Sequence, residues 1–198
     1  DCLLSRGLGD VYKRQGTTGL VDYRVETVGG AHVRVSLADA AGSVVATSSG
    51  PEGRLEIADV VLWKPGAAYL YELTVEAVDG EDVLDTYSLA VGVRTVAVRG
   101  EEFLVNGEPF YFTGFGKHED TFVRGKGHDD AYMVHDFQLM EWTGANSFRT
   151  SHYPYAEDVL DFADRHGILV IDETAAVGLN MGAVSYTHLR AHETRGNI

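Results

Sequence analysis

The stretch Ala145-Asn-Ser-Phe-Arg-Thr-Ser-His-Tyr-Pro-Tyr-Ala-Glu-Asp-Val-Leu-Asp-Phe-Ala-Asp-Arg-His-Gly-Ile-Leu-Val-Ile171 reads as strand, helix, strand. Residues 145–150 form the first strand, and Pro154 stiffens the chain that leaves it. Residues 155–166 then put Val159, Phe162 and Ala163 on one helical face. Glu157 and Asp158 fall in the first turn, where the helix dipole favours acids, and Gly167 is placed to cap the last turn. Residues 168–171 are apolar throughout, as parallel strands covered on both faces tend to be. Upstream the rhythm is the same. Residues 109–115 read as a buried strand, and residues 130–143 as a helix with Met133, Phe137 and Met140 at helical spacing, Val134 alongside, and an end at Gly144. A strand-helix-strand-helix-strand run fits either an open doubly wound sheet or the first three strands of a closed barrel, and periodicity leaves both open.

Before about residue 98 the period is two. Val21, Tyr23, Val25 and Thr27 alternate with Asp22, Arg24 and Glu26. Gly29-Gly30 offers a turn, and Val33, Val35 and Leu37 resume the alternation. Further strands are expected over residues 44–47, 55–61, 69–78 and 87–93, punctuated by Gly42, Gly53, Pro65-Gly66 and Asp79-Gly80. About seven strands with hardly any helical signal point to a two-sheet sandwich of immunoglobulin type. Trp63, Tyr69 and Tyr71 could be imagined as a sugar-stacking platform, but alternation assigns them to the sandwich core. His135 and Trp142 are read as packing or surface residues of the first helix.

Composition narrows the partners. A formal net charge of -14 over 198 residues, without a Lys/Arg cluster to reverse it locally, opposes a nucleic acid or an anionic membrane as partner. No apolar run reaches the length of about 18 residues that a transmembrane helix needs. Cys2 is the single cysteine, so no internal disulfide and no thiolate metal site can form, which suits a reducing, cytoplasmic setting. Residues 1–15 and 183–198 lack strand or helix periodicity. Val11-Tyr-Lys-Arg-Gln15 and Tyr186-Thr-His-Leu-Arg-Ala-His-Glu-Thr194 resemble translated sequencing adaptor, and both ends are expected to be foreign to the fold.

In parallel α/β architectures the ligand site lies at the carboxyl ends of the strands. Lys117, His118, Glu119 and Asp120 follow the first strand, Arg149 and His152 lie at the end of the second, and Asp172 and Glu173 follow the third. Three successive strand ends carrying ionisable groups are what a polar ligand would require.

The run from Asn146 to Glu173 resembles the signature of the glycoside hydrolase family that contains β-galactosidases, β-mannosidases and β-glucuronidases. Leu62-Trp-Lys-Pro-Gly66, Tyr69-Leu-Tyr-Glu-Leu73, Gly92-Val-Arg-Thr95 and Phe103-Leu-Val-Asn-Gly107 resemble that family's sandwich domain and its junction with the barrel. Within the family, Tyr111-Phe-Thr-Gly-Phe-Gly-Lys-His-Glu-Asp120, Arg124-Gly-Lys-Gly127 and Asp172-Glu-Thr-Ala-Ala-Val-Gly178 are similar to the glucuronidase branch. The resemblance implies an immunoglobulin-like β-sandwich (residues 16–98) followed by the first three βα units of a TIM (β/α)₈ barrel (residues 99–182). It also implies a homo-oligomeric parent enzyme that acts on terminal β-D-glucuronides or related glycosides. The alternatives are a β-galactosidase-like hydrolase, or a non-catalytic carbohydrate-binding or scaffold protein.

The family mechanism is retaining, with an acid and a nucleophilic carboxylate about 5 Å apart. Resemblance places the acid in an Asn-Glu pair, and no such dipeptide occurs here, so neither catalytic carboxylate is expected in this chain and it is expected to be inactive alone. The residues expected to meet substrate are His152, His118, Glu119, Arg149 and Glu173. His152 is expected to reach a sugar hydroxyl, and His118 and Glu119 to line the same pocket. Arg149, read as a buried guanidinium, needs a carboxylate such as Glu173. No cofactor is expected. No metal is expected either, because Ala175-Ala-Val-Gly178 stand where magnesium-binding members carry an acid and a histidine. With three strands only, the barrel portion is expected to be less stable than the sandwich.

Overall fold

The structure is a computed structural model that describes residues 18–27 and 29–174. Residues 1–15, Ala175-Ala-Val-Gly178 and residues 183–198, for which expectations are given above, lie outside the described residues. The described residues fall into two compact units: 18–64 with 69–109, and 65–68 with 110–174.

The first unit is a β-sandwich. One sheet pairs β1 (Gly19–Arg24) with β4 (Glu52–Ile57). The other runs β3-β2-β5-β6, all antiparallel, from β2 (His32–Ala38), β3 (Val44–Ser49), β5 (Tyr71–Asp79) and β6 (Asp82–Val91). The period of two puts Val21 and Tyr23, Val33, Val35 and Leu37, Leu55 and Ile57, and Tyr71, Leu73 and Val75 into one buried cluster between the sheets. Trp63 is fully buried, as alternation predicts, and the Arg94 guanidinium lies 4.5 Å from its ring centroid. The strand expected over 55–61 ends at Ile57, whereas the one expected over 87–93 begins earlier, at Asp82. Gly80 takes a positive φ of 62° there and lets the chain turn back onto β5 at once.

A meander of β7 (Val96–Arg99), β8 (Glu102–Val105) and β9 (Glu108–Pro109) completes this unit. Asn106 fixes it at the turn. Its backbone N–H donates to Thr95 O (2.8 Å), its Oδ1 accepts from Thr95 N (3.0 Å), and its Nδ2 donates to Trp63 O (2.8 Å).

The second unit is α/β. A parallel sheet of β10 (Gly114–Lys117), β13 (Ser147–Thr150) and β14 (Leu169–Ile171) has β13 in the middle. A small hairpin of β11 (Asp120–Thr121) and β12 (Gly125–Lys126) follows β10. The helices are α1 (Asp130–Thr143) and α2 (Glu157–His166). Asp129 caps α1 by accepting from Ala131 N (3.0 Å) and Tyr132 N (3.2 Å), and Gly144 and Gly167 close the two helices in the left-handed conformation. Met133, Phe137 and Met140 of α1 meet Phe148 of β13 and Val159 and Ala163 of α2 in the unit's own core.

Two expectations need correction. The apolar run 109–115 is not the strand: Pro109 ends β9, β10 begins at Gly114, and Tyr111 and Phe115 are exposed. Hydrophobicity pointed to the aromatic run, but pairing follows glycine, because a Cβ on Gly114 would sit 1.8 Å from Ser147 O. Gly114→Ala is therefore expected to push β10 off β13 and cost about 1–3 kcal/mol; an unchanged urea midpoint would contradict this. Nor is the third strand covered on both faces, since Ile171 is 47% exposed on a strand with one neighbour among the described residues.

Candidate functional site

The carboxyl ends of the three parallel strands bring four of the five candidate residues together. Arg149 sits in register with Gly116 and Ile171, one step before β13 ends. Its Nε lies 3.2 Å from Glu173 Oε2, and its Nη2 is 3.4 Å from Ser151 Oγ and 3.5 Å from His152 Nδ1. His152 Nδ1 is also 3.6 Å from Glu173 Oε2. The His118 ring meets the His152 ring edge-on with centroids 5.3 Å apart, and His118 Nδ1 lies 3.7 Å from Asp120 Oδ2. Arg149, expected to be buried, has a side chain 47% exposed. It is paired as expected, but among the described residues no fourth strand covers the face it points from.

Glu119 follows another course. Alternation after β10 leaves His118 and Asp120 exposed and turns Glu119 inward, 8% exposed, with Oε1 lacking a hydrogen-bond partner among the described residues. It lines a cavity of about 70 Å³ with Lys117, His128, Asp129 and Asp136, and it neighbours Tyr153. Burial pushes the Tyr153 phenol up, and the charges of Glu119 and Asp120 add to the shift.

Several contacts that support the site join hydroxyl residues not singled out in the sequence reading to the strand-end acids and Lys117. Thr150, fully buried, donates from Oγ1 to Asp172 Oδ1 (2.9 Å) and accepts at Oγ1 from Glu173 N (2.8 Å), so the end of β13 sets the course of the Asp172-Glu173 pair. Lys117 is buried against Asp136 of α1, with Nζ to Oδ2 at 2.9 Å. Its carbonyl accepts from Ser151 N (3.1 Å) and from the Tyr155 hydroxyl, which also donates to Ser151 O (3.2 Å). Burial raises the Tyr155 phenol far above its usual range, so the hydroxyl remains a donor, and it ties β10 to the turn that presents His152. A strand-end Thr-Ser pair followed by Tyr-Pro-Tyr could have suggested this frame. Tyr155→Phe is expected to lower stability by about 1 kcal/mol, the net worth of one hydrogen bond. A change below about 0.3 kcal/mol in urea unfolding would remove Tyr155 from the frame, since a buried bond of this kind is ordinarily worth more.

A β-sandwich is joined in sequence to an α/β unit in which imidazole, guanidinium and carboxylate groups converge at the ends of parallel strands, the place where barrel enzymes build their sites. The chain belongs to glycosyl hydrolases family 2: residues 10–94 match the family and residues 96–195 match its TIM barrel domain. Its relatives include β-glucuronidases of Paenibacillus borealis, 52% identical over 90% of this chain, and of Canis lupus familiaris, 50% identical over 87%. A solved structure of the β-glucuronidase of Ruminococcus gnavus in complex with D-glucuronic acid superposes with a TM-score of 0.82 and 47% identity over 86% of this chain. The chain spans only 31%, 28% and 30% of those three proteins, respectively.

Proposed function

We propose that this chain is part of a retaining β-glucuronidase and forms a portion of its sugar-binding floor. The observation that carries the reading is the meeting of His118, Arg149, His152 and Glu173 at the ends of β10, β13 and β14, in a chain about half identical to β-glucuronidases over most of its length. In this reading the sandwich is of immunoglobulin type and spans residues 16–98, and residues 99–182 supply the first three βα units of a (β/α)₈ barrel. The strand-end location of the cluster supports it, because barrel enzymes build their sites there.

His152 serves the sugar: a neutral imidazole donates from one nitrogen and accepts at the other, which suits a hydroxyl. Arg149, ion-paired with Glu173 at 3.2 Å, tunes the electrostatics beside it. His118 and Glu119 support the same pocket from the first strand end. Resemblance to the family assigns the acid and the nucleophile to later strands, so the chain alone is expected to show no turnover.

Sequencing the reading frame beyond residue 182 tests this. An Asn-Glu pair followed later by a second strand glutamate is the expected result, and a genuine stop codon soon after residue 182 would favour a non-catalytic binding module. Turnover of a chromogenic β-glucuronide by the purified chain, abolished in His152→Ala, would overturn the assignment of the chemistry to later strands.

A further inference from the structure

We infer that Lys126, in the Arg124-Gly-Lys-Gly127 motif, is a positioning residue: resting on the ring of Tyr153, it holds the turn that presents His152 to the sugar. The inference deepens the proposed function and rests on it for the identity of the sugar. The contact itself stands on the geometry of the hairpin.

The motif supplies β12 and the residues on either side of it. Gly125 and Gly127 take positive φ values of 71° and 139°, a region that side chains strain to enter, so the chain bends on both sides of Lys126. Neighbouring contacts tie the hairpin down. Arg124 Nε lies 2.7 Å from Asp129 Oδ2, while the other oxygen of that carboxylate caps α1. Gly127 N–H donates to Glu119 O (2.9 Å). Asp120, paired with Lys126 across the hairpin, places its Oδ2 3.7 Å from His118 Nδ1. Lys126 Nζ stands 4.3 Å from the ring centroid of Tyr153, the residue after His152. The hairpin thus touches both stretches that carry the two facing histidine rings.

The turn needs such support. Ser151 N–H donates to Lys117 O (3.1 Å) and the Tyr155 hydroxyl to Ser151 O (3.2 Å), but among the described residues neither His152 nor Tyr153 makes a main-chain to main-chain hydrogen bond. The middle of the turn therefore takes its position from side chains. Tyr153 meets the Tyr155 ring with centroids 5.3 Å apart and the Lys126 ammonium, with the Glu119 carboxylate near its phenol. A cation over an exposed tyrosine face shifts an equilibrium by about 2- to 5-fold. That is small beside a core contact, but it acts one residue from the imidazole, where misplacement by about 1 Å costs catalysis heavily.

The test is a double-mutant cycle in the longer protein containing this chain, assayed with a chromogenic β-glucuronide. Lys126→Met is expected to lower kcat/KM by about 2- to 5-fold. Lys126→Arg, which keeps a cation over the ring, should retain most of the activity, and Lys126→Met should add no loss in a Tyr153→Leu background. An unchanged kcat/KM in Lys126→Met would overturn the inference. An equal loss with and without the Tyr153 ring would overturn it in favour of direct contact between Lys126 and the substrate. Hydrogen exchange reads the turn without substrate: the Ser151 amide is expected to exchange about 2- to 5-fold faster in Lys126→Met than in wild type or Lys126→Arg. Equal exchange in all three would overturn the inference even where Tyr153→Leu does not fold. A longer protein that hydrolyses no glucuronide fails the proposed function and leaves the positioning to the exchange result.

Discussion

In the longer protein containing this chain, His152→Ala is expected to lower kcat/KM for a β-glucuronide by about 10- to 1,000-fold, the range for losing one or two hydrogen bonds that strengthen in the transition state. The loss belongs to chemistry and not to folding. The His152 side chain is 44% exposed and stands outside the second unit's core of Met133, Phe137, Met140, Phe148, Tyr155, Val159 and Ala163. Truncation removes contacts to half-exposed Arg149, to Glu173 and to the exposed His118 ring, and water can refill the volume that the imidazole leaves. The unfolding midpoint should therefore stay within about 0.5 kcal/mol of wild type, as surface substitutions usually do. A kcat/KM within twofold of wild type would return His152 to a structural role, and a collapsed fold would show that the turn at Ser151 depends on its ring.

Hydrogen exchange of this chain is expected to divide it by unit, with amides of β2 and β5 protected by orders of magnitude more than those of β10 and β14. In the first unit β2 and β5 are each paired on both sides, and their inward side chains, such as Val35 and Leu37, are fully buried. In the second unit only β13 is paired on both sides among the described residues. Among the described residues β10 and β14 have open edges beside exposed Phe115 and Ile171, the condition under which strands fray or recruit other chains. Mass spectrometry after limited proteolysis reads the same contrast. A protected fragment covering residues 110–174, with the sandwich digested first, would reverse the assignment of the stable half.

What the sequence disclosed followed from how strongly each residue type signals. Both helices were legible because Gly144 and Gly167 end them and because Met133, Phe137, Met140, Val159 and Ala163 keep helical spacing. The sandwich core was legible because buried residues alternate along β2 and along β5 from Tyr71 to Ala77, and Trp63 is buried as read. The first parallel strand was displaced because Phe110, Tyr111 and Phe112 carry the hydrophobic signal, while the pairing depends on the close approach that Gly114 allows. The meander of β7 to β9 escaped periodicity because its strands are at most four residues long, too short for an alternation to register. At the site, ionisable residues announced themselves by chemistry, and four of them meet. The hydroxyls of Thr150, Ser151 and Tyr155, which fix the geometry, are common residue types whose role appears only when β13 is seen between β10 and β14. Burial of Glu119 between exposed His118 and Asp120 likewise depends on the path after β10 and not on its own identity.

The central claim is that this chain belongs to an enzyme built to recognise a glucuronide, and the direct measurement is a comparison of two substrates. The longer protein containing residues 16–182 should be assayed with a β-glucuronide and a β-galactoside carrying the same chromogenic leaving group. Hydrolysis of the glucuronide with kcat/KM at least about 100-fold above that for the galactoside is expected, the order for an enzyme that meets the sugar carboxylate with charge-assisted hydrogen bonds. Equal rates, or a preference for the galactoside, would contradict it.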